Sequence, residues 1–306
     1  MNKNLQIAIL GASGIGKFHA RNFNNLGQNV CAILGSSAAS SIETSNVLHK
    51  EYGIEAEPFY ELSSLLKKSK LDAISICTPT PLHHSQLIEI LDSNIPIFCE
   101  KPLFWDTNLS LQQFQKQLDQ ILSHKNRAIY VNTSNATLIE ALSPSLDPSN
   151  TINRFNFKFH TNGNAQYFDI AIDLLPHAIS MLIELIGIEE ISSVQEKVNI
   201  DNYQCHFQYG GCTVNFSLSE NKSSPQKLQF KIEEKEYIRI QKRDSHNYKI
   251  YLKDIGSGDI QEISDPLFIY ISRFLEFCSL PVNKRKDAFN VGAHNLELMA
   301  KILLKN

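Results

Sequence analysis

Tryptophan and methionine are scarce in this chain, with one Trp and three Met among 306 residues. The larger absences exclude more. No run approaches the roughly 20 consecutive apolar residues of a membrane-spanning helix, so no membrane partner is expected. No long basic stripe exists, and the formal net charge is −3. Lys284-Arg285-Lys286 is the densest cationic cluster, and three basic residues ahead of a helix make a solvated loop, not a nucleic-acid surface. The six cysteines (Cys31, Cys77, Cys99, Cys205, Cys212 and Cys278) contain no C-x-x-C pair. His83 and His84 are adjacent and so point apart, and no spacing supports several convergent ligands; no metal is expected. The start, Met-Asn-Lys-Asn-Leu, lacks the apolar segment and cleavage site of a signal peptide. Three of the cysteines lie in or at the ends of apolar runs, where a reduced cysteine behaves as a small hydrophobe. A cytoplasmic location is the expectation.

What is present is an ordinary globular composition. With 42% hydrophobic and 20% charged residues, the chain can bury a normal core, and its length predicts about two domains. The first part alternates short apolar runs with helical patterns. Runs fall at Ile7–Leu10, Val30–Leu34, Phe59-Tyr60, Ala73–Cys77, Ile95–Cys99 and Ala128–Val131. Helices are predicted over Gly16–Leu26, through Leu48 and Tyr52, over Glu61–Lys68, Pro81–Leu91 and Leu109–Leu122. That alternation implies right-handed βαβ units and a parallel sheet covered on both faces. The second part changes period. Phe155/Phe157/Phe159, Val214/Phe216/Leu218, Leu228/Phe230/Ile232 and Tyr248/Ile250/Leu252 alternate with polar residues, which marks strands with one covered face. Gly210-Gly211 reads as a hairpin turn. One helix is expected near Leu174–Ile186 and two more close the chain. The fold class is thus α/β: a Rossmann doubly wound parallel sheet over residues 1–132, then an α+β domain over 133–306 with a large, mostly antiparallel open sheet. Ser143–Ser149 reads as an exposed connector.

Gly11-Ala-Ser13-Gly14-Ile15-Gly16 follows the first strand and opens the first helix. A bound dinucleotide needs that order. Gly11 permits the sharp turn, small residues let backbone N–H groups approach a pyrophosphate, and Gly16 lets the helix pack close to the sheet. The second strand ends in Leu34-Gly35-Ser36-Ser37 with no carboxylate. An acidic residue there binds the ribose 2′-hydroxyl of NAD. Its absence removes repulsion against a 2′-phosphate, and Ser36 and Ser37 can donate to one, so NADP is favoured over NAD. No arginine is adjacent, and a loop selecting neither cofactor is the alternative.

Four signatures stand in order: the glycine turn with His19 after it, Cys77-Thr78-Pro79-Thr-Pro-Leu-His83, Glu100-Lys101-Pro102, and Asp173-Leu-Leu-Pro176-His177. Together they resemble the glucose–fructose oxidoreductase and inositol dehydrogenase (Gfo/Idh/MocA) family over nearly the whole chain. The resemblance implies a nicotinamide cofactor and hydride transfer to or from a carbon of a sugar, cyclitol or related small molecule. It implies that Gly11, Ser13, Gly14, Ile15 and Gly16 hold the pyrophosphate, Ser36 and Ser37 the ribose, and that Thr78, Pro79 and His83 line the cofactor cleft. It places Glu100 and Lys101 beside the nicotinamide, with a cis bond before Pro102. It also implies a homo-oligomer, dimer or tetramer, formed through the second domain's sheet, although those polar strand positions equally suit solvent.

Hydride transfer at a C–O carbon needs a proton donor or acceptor at the oxygen. Lys101 stands at the carboxyl end of a parallel strand, where ligands bind in such sheets; its alternative is a surface lysine. His177 is the second candidate. Asp173 precedes it by four residues, on the same helical face, and is expected to cap a helix whose first turn holds Pro176. His177 exchanges the proton in this reading while Asp173 binds a hydroxyl or orients the ring; alone, such a histidine is more often a structural one. Asn132, after the sixth strand, is a candidate substrate contact. The run Tyr167-Phe168-Asp169 replaces the family's glycine-rich approach to the aspartate, and Asp169 reads as an exposed turn residue. Trp105 reads as packing or cleft wall. Two other functions stay open: reduction of a C=N or C=C bond, and a cofactor-binding regulator without catalysis.

Overall fold

The computed structural model describes residues 4–304 except 69, 126, 147–149, 224, 244–247 and 282–286. Lys284-Arg285-Lys286 and the end of the Ser143–Ser149 connector lie outside the described residues. The chain divides into two compact units: residues 1–132 with 270–293, and residues 133–269 with 294–306.

The first unit holds β1 (Gln6–Leu10), α1 (Gly16–Asn25), β2 (Asn29–Leu34), α2 (Ala38–Tyr52), β3 (Glu57–Phe59), α3 (Leu62–Lys68), β4 (Ala73–Ile76), α4 (His83–Leu91), β5 (Ile97–Cys99), α5 (Leu111–Ser123) and β6 (Ile129–Val131). All strand pairs are parallel, in the order β3-β2-β1-β4-β5-β6. The apolar runs form strands because both faces are covered: Ile7 to Leu10, Ala73 to Ile76 and Ile97 to Cys99 are buried throughout. Helix starts follow local chemistry. Ser37 caps α2 and Ser110 caps α5, each accepting from the backbone N–H three residues on, with a reciprocal side-chain bond. The strand order reverses between β1 and β4, which opens a crevice at their carboxyl ends. Residues 270–293 close this unit through an aromatic cluster. Phe274 stacks on Phe98 at 5.2 Å and meets Phe23 edge-on at 6.1 Å, while Tyr130 meets Phe277 at 5.5 Å.

The second unit holds α6 (Ala136–Glu140), β7 (Arg154–Thr161), α7 (Phe168–Ile186), β8 (Ile191–Val198), β9 (Asn202–Tyr209), β10 (Cys212–Glu220), β11 (Lys227–Ile232), β12 (Lys235–Arg243), β13 (Tyr248–Asp254) and β14 (Ile260–Ile263). Helices α8 (Pro266–Ser279) and α9 (Asp287–Leu303) follow, and the division between units passes through both. The eight strands lie in the order β14-β13-β12-β11-β7-β10-β9-β8, antiparallel except for β7 beside β10. One face carries Phe155, Phe157, Phe159, Tyr203, Phe207, Phe216 and Phe230, all buried, and α7 packs on β7, β9 and β10. The opposite face is polar and knitted across strands: His206 Nδ1 donates to Asn215 Oδ1 at 2.7 Å, and Asn215 Nδ2 donates to Asn156 Oδ1 at 2.9 Å. These pairs sit in register on β9, β10 and β7.

Helix α7 corrects one expectation. It starts at Phe168, so Asp173 is not its cap and Pro176 lies inside it. A proline there removes the bond to the carbonyl four residues back. Burial outweighs that loss: Ile170, Ala171, Leu174, Leu175, Ala178, Ile179, Met181 and Leu182 are all buried. The Pro176 carbonyl accepts from Asn295 Nδ2 at 2.9 Å. At the helix mouth Tyr167 takes φ 54°, a conformation L side chains rarely adopt.

Candidate active site

In the first unit the expected residues gather at the carboxyl ends of β1, β4, β5 and β6. Gly11 has φ +82°, and a Cβ on it would stand 2.8 Å from the backbone of Cys77 and Thr78. A Cβ on Gly16 would stand 2.5 Å from the Gly11 carbonyl oxygen. Both positions require glycine for the turn to press α1 against the end of β4. Ser13, Gly14 and Ile15 form the exposed rim of the turn, and nothing lies within 4 Å of a Cβ on Gly14. The turn therefore leaves an open approach to backbone N–H groups at a helix N-terminus, which fits a dinucleotide pyrophosphate.

The neighbouring contacts are specific. Ser37 Oγ accepts from Ser40 N at 3.2 Å and Ser36 Oγ meets Ser40 Oγ at 3.2 Å, both exposed. Thr78 Oγ1 donates to Gln86 Oε1 at 2.6 Å, and Pro79 precedes a 3-10 turn, Thr80–Leu82. His83 is buried, with Nε2 2.8 Å from the Thr78 carbonyl and Nδ1 3.0 Å from the Pro102 carbonyl. Both ring nitrogens face inward, so the imidazole ties the loop after β4 to the loop after β5. Burial lowers its pKa against the opposing pull of those carbonyls. Trp105 is buried against Phe114.

Glu100 is the centre of a buried polar network. His19 Nε2 donates to Glu100 Oε1 at 2.8 Å, Asn132 Nδ2 donates to the same oxygen at 2.6 Å, and His19 Nδ1 lies 2.9 Å from Ser75 Oγ. Burial opposes charge on both His19 and Glu100. For His19, Cys77 and Glu100 more than offset burial, and its pKa is raised to about 10. For Glu100, the His19 and Asn132 hydrogen bonds do the same, and its pKa is lowered to about 2. The pair is ionised, and it joins α1, β4 and the loops after β5 and β6 directly behind Lys101. Lys101 follows at intermediate exposure, and the Lys101–Pro102 bond is cis, as expected. Asn132 thus turns inward to Glu100. Sequence reasoning recognised His19 only as part of a motif and passed over Ser75.

In the second unit Asp169, Asp173 and His177 fall four residues apart along α7. Asp169 and Asp173 are exposed, and His177 is intermediate. The His177 ring meets Phe159 of β7 edge-on at 5.6 Å. Among the described residues, no group of three or more His, Cys, Asp or Glu side chains converges to hold a metal, and no helix is long and apolar enough to cross a membrane.

Comparison with known proteins agrees with this architecture. Inositol 2-dehydrogenase of Corynebacterium glutamicum strain R is 29% identical over 124 residues, 39% of this chain. The match spans about a third of that relative, 35% of its length. Among solved structures, scyllo-inositol dehydrogenase from Lactobacillus casei, with bound NAD(H) and scyllo-inositol, superposes with a TM-score of 0.69 at 15% identity. It covers 98% of this chain and 96% of that one. A 3-ketoreductase from Actinomadura kijaniata in complex with NADP gives 0.69 at 13% identity, covering 98% and 97%. Likenesses at that identity establish the fold. A family model described as an oxidoreductase family with an NAD-binding Rossmann fold matches residues 5–146, the stretch that contains the glycine turn, Glu100 and Lys101. Over residues 5–146 the chain is similar to the Gfo/Idh/MocA oxidoreductase family, and over 124 residues to an inositol 2-dehydrogenase.

Proposed function

We propose that the protein is a dehydrogenase or reductase that moves a hydride between a nicotinamide cofactor and a carbon of a sugar, cyclitol or related small molecule. The observation that carries this reading is the glycine turn packed on the end of β4, in one unit with the ion-paired Glu100 and the adjoining Lys101. When bound, the cofactor supplies the hydride. The chain's own residues hold and protonate. Gly11, Ser13, Gly14, Ile15 and Gly16 offer backbone to the pyrophosphate, and Thr78 and Pro79 wall the cleft. His83 fixes the loops from within it. Lys101 binds the reacting oxygen and transfers its proton, held in place by Glu100. His177 with Asp173 is the second proton-handling pair, and Asn132 acts through Glu100. Four of the six cysteines, Cys77, Cys99, Cys205 and Cys212, are buried, in keeping with a reducing cytoplasm.

NADP is the preferred cofactor in this reading. Ser36 and Ser37 are exposed at the end of β2, and no carboxylate stands in the Gly35–Ser37 loop. Titration of the purified protein with NADPH and NADH, followed by fluorescence and thermal shift, tests it. The wild type should bind NADPH more tightly. Ser36→Asp, which leaves the Ser37 cap intact, should weaken NADPH about tenfold or more and spare NADH, since one repulsive contact worth 1.4 kcal/mol is a factor of ten. Binding of neither cofactor would discard the oxidoreductase reading.

The polar face of the sheet is the proposed contact between subunits. It presents side chains already bonded to one another, such as the His206–Asn215–Asn156 row. Light scattering should give a mass of two or four chains, and Asn215→Lys should lower it. A monomer at micromolar concentration would reject this pairing.

A further inference from the structure

Arg239 lies on the aromatic face of the second unit's sheet. Register aligns Phe159 on β7 with Leu228 on β11, Arg239 on β12 and Leu252 on β13. Phe159, Leu228 and Leu252 are buried on the aromatic face. Arg239 therefore projects among apolar neighbours, on the side of the sheet that α7 packs. Its guanidinium carbon lies 5.4 Å from the centre of the Phe159 ring, so it reaches back across β11 toward β7. That same ring meets the imidazole of His177 at 5.6 Å. Arg239 and His177 thus flank one phenyl ring.

Arginine keeps its charge at any physiological pH. Burial pulls its pKa down, and Tyr248 and Asp265 pull the other way. Among the described residues, no carboxylate stands within ion-pair distance of it, and one oxygen of Asp265 accepts from the Leu267 N–H at 3.0 Å at the start of α8. A cation held over an aromatic face keeps its N–H edge for an acceptor, and the guanidinium fork matches the two oxygens of a carboxylate or phosphate. The residues after β6 (Asn132-Thr-Ser-Asn135) carry no basic side chain.

We propose that Arg239 binds an anionic group of the substrate, one ring away from His177, and that the substrate is a sugar-like molecule bearing a carboxylate or phosphate. This rests on the reading that the His177 face of α7 receives the substrate. Phe159 sets the separation between the anion and the proton-handling imidazole.

The test is binding, which needs no turnover. D-glucuronate, D-glucose 6-phosphate and D-glucose are titrated by calorimetry and thermal shift into wild type, Arg239→Met and Arg239→Lys at one fixed salt concentration. Methionine keeps the packing stem and removes the charge, and lysine keeps the charge without the fork. One of the two anionic sugars should bind wild type at least tenfold more tightly than glucose. R239M should erase that margin and R239K retain part of it. Preference for glucuronate identifies a carboxylate, and preference for the 6-phosphate a phosphate. The proposal is overturned if neither anion outbinds glucose on wild type, or if R239M binds the favoured anion as tightly as wild type does. NADPH titration of the same preparations reports separately on the oxidoreductase reading: loss of cofactor binding with R239-dependent anion binding intact would remove that reading and leave the anion site.

Discussion

Lys101→Met is expected to lower turnover of the wild-type substrate by about 10³-fold, within the range for one positioned proton donor, while cofactor affinity stays within a few-fold. Lys101 follows directly on β5, at the carboxyl edge of the parallel sheet, and its preceding residue is fixed twice: Glu100 N donates to the Ile76 carbonyl at 2.9 Å, and its carboxylate is gripped by His19 and Asn132. A side chain anchored so close to its root carries chemistry with little reorganisation. Methionine preserves volume but cannot hold or move a proton, so the loss should appear in kcat more than in KM. A loss below tenfold would transfer the proton step to His177, whose replacement by Gln would then show the large effect.

His19→Leu is expected to destabilise the fold by about 3–5 kcal/mol, because it strands the Glu100 carboxylate in the interior without its cation. Thermal or urea unfolding measures this directly. The pH dependence gives it a signature. Glu100 has its pKa lowered from 4.5 to about 2, so its contribution is complete above about pH 4.5 and disappears as pH falls through about 2. His19 has its pKa raised from 6.5 to about 10, so its contribution is complete below about pH 6.5 and disappears as pH rises through about 10. Both are complete only from about pH 4.5 to 6.5. His19→Leu should therefore flatten the alkaline decline of stability as well as lower its maximum. The double variant His19→Leu/Glu100→Leu should recover part of the loss, since removing both charges leaves no uncompensated ion. Full stability in the single variant would mean that the pair contributes nothing.

The Rossmann half was legible because its strands are buried on both faces and so read as unbroken apolar runs, as Ile7–Leu10 and Ala73–Ile76 show. The second half was legible where one face is aromatic. It was not legible at β8, where half the residues are exposed, nor at β12, whose sequence Lys-Glu-Tyr-Ile-Arg-Ile-Gln-Lys-Arg reads as a charged surface stretch. Arg239 was hidden in that stretch, since only strand register reveals which face it takes. The start of α7 was misplaced because Pro176 is a strong local signal for a first turn, and the apolar surface buried along the helix outweighed it. The glycine turn and Glu100-Lys101 were readable from spacing. The inward turn of Asn132 and the union of His19 with Glu100 were not, because those partners lie 32 and 81 residues apart in the chain.

Strand β7 stands apart in the second unit's sheet. Every other neighbouring pair in its sheet joins strands consecutive in the chain: β8 with β9, β9 with β10, and β11 through β14 in turn. These are local closures, of low contact order. Only β7 bonds to distant strands, Phe157 pairing with both Phe216 and Phe230. The entropy of bringing remote segments of this sheet together therefore falls on a single strand. Phe159, the ring that both His177 and Arg239 touch, is on that strand. The proposed anion contact therefore depends on the one strand of this sheet whose pairings are all long-range.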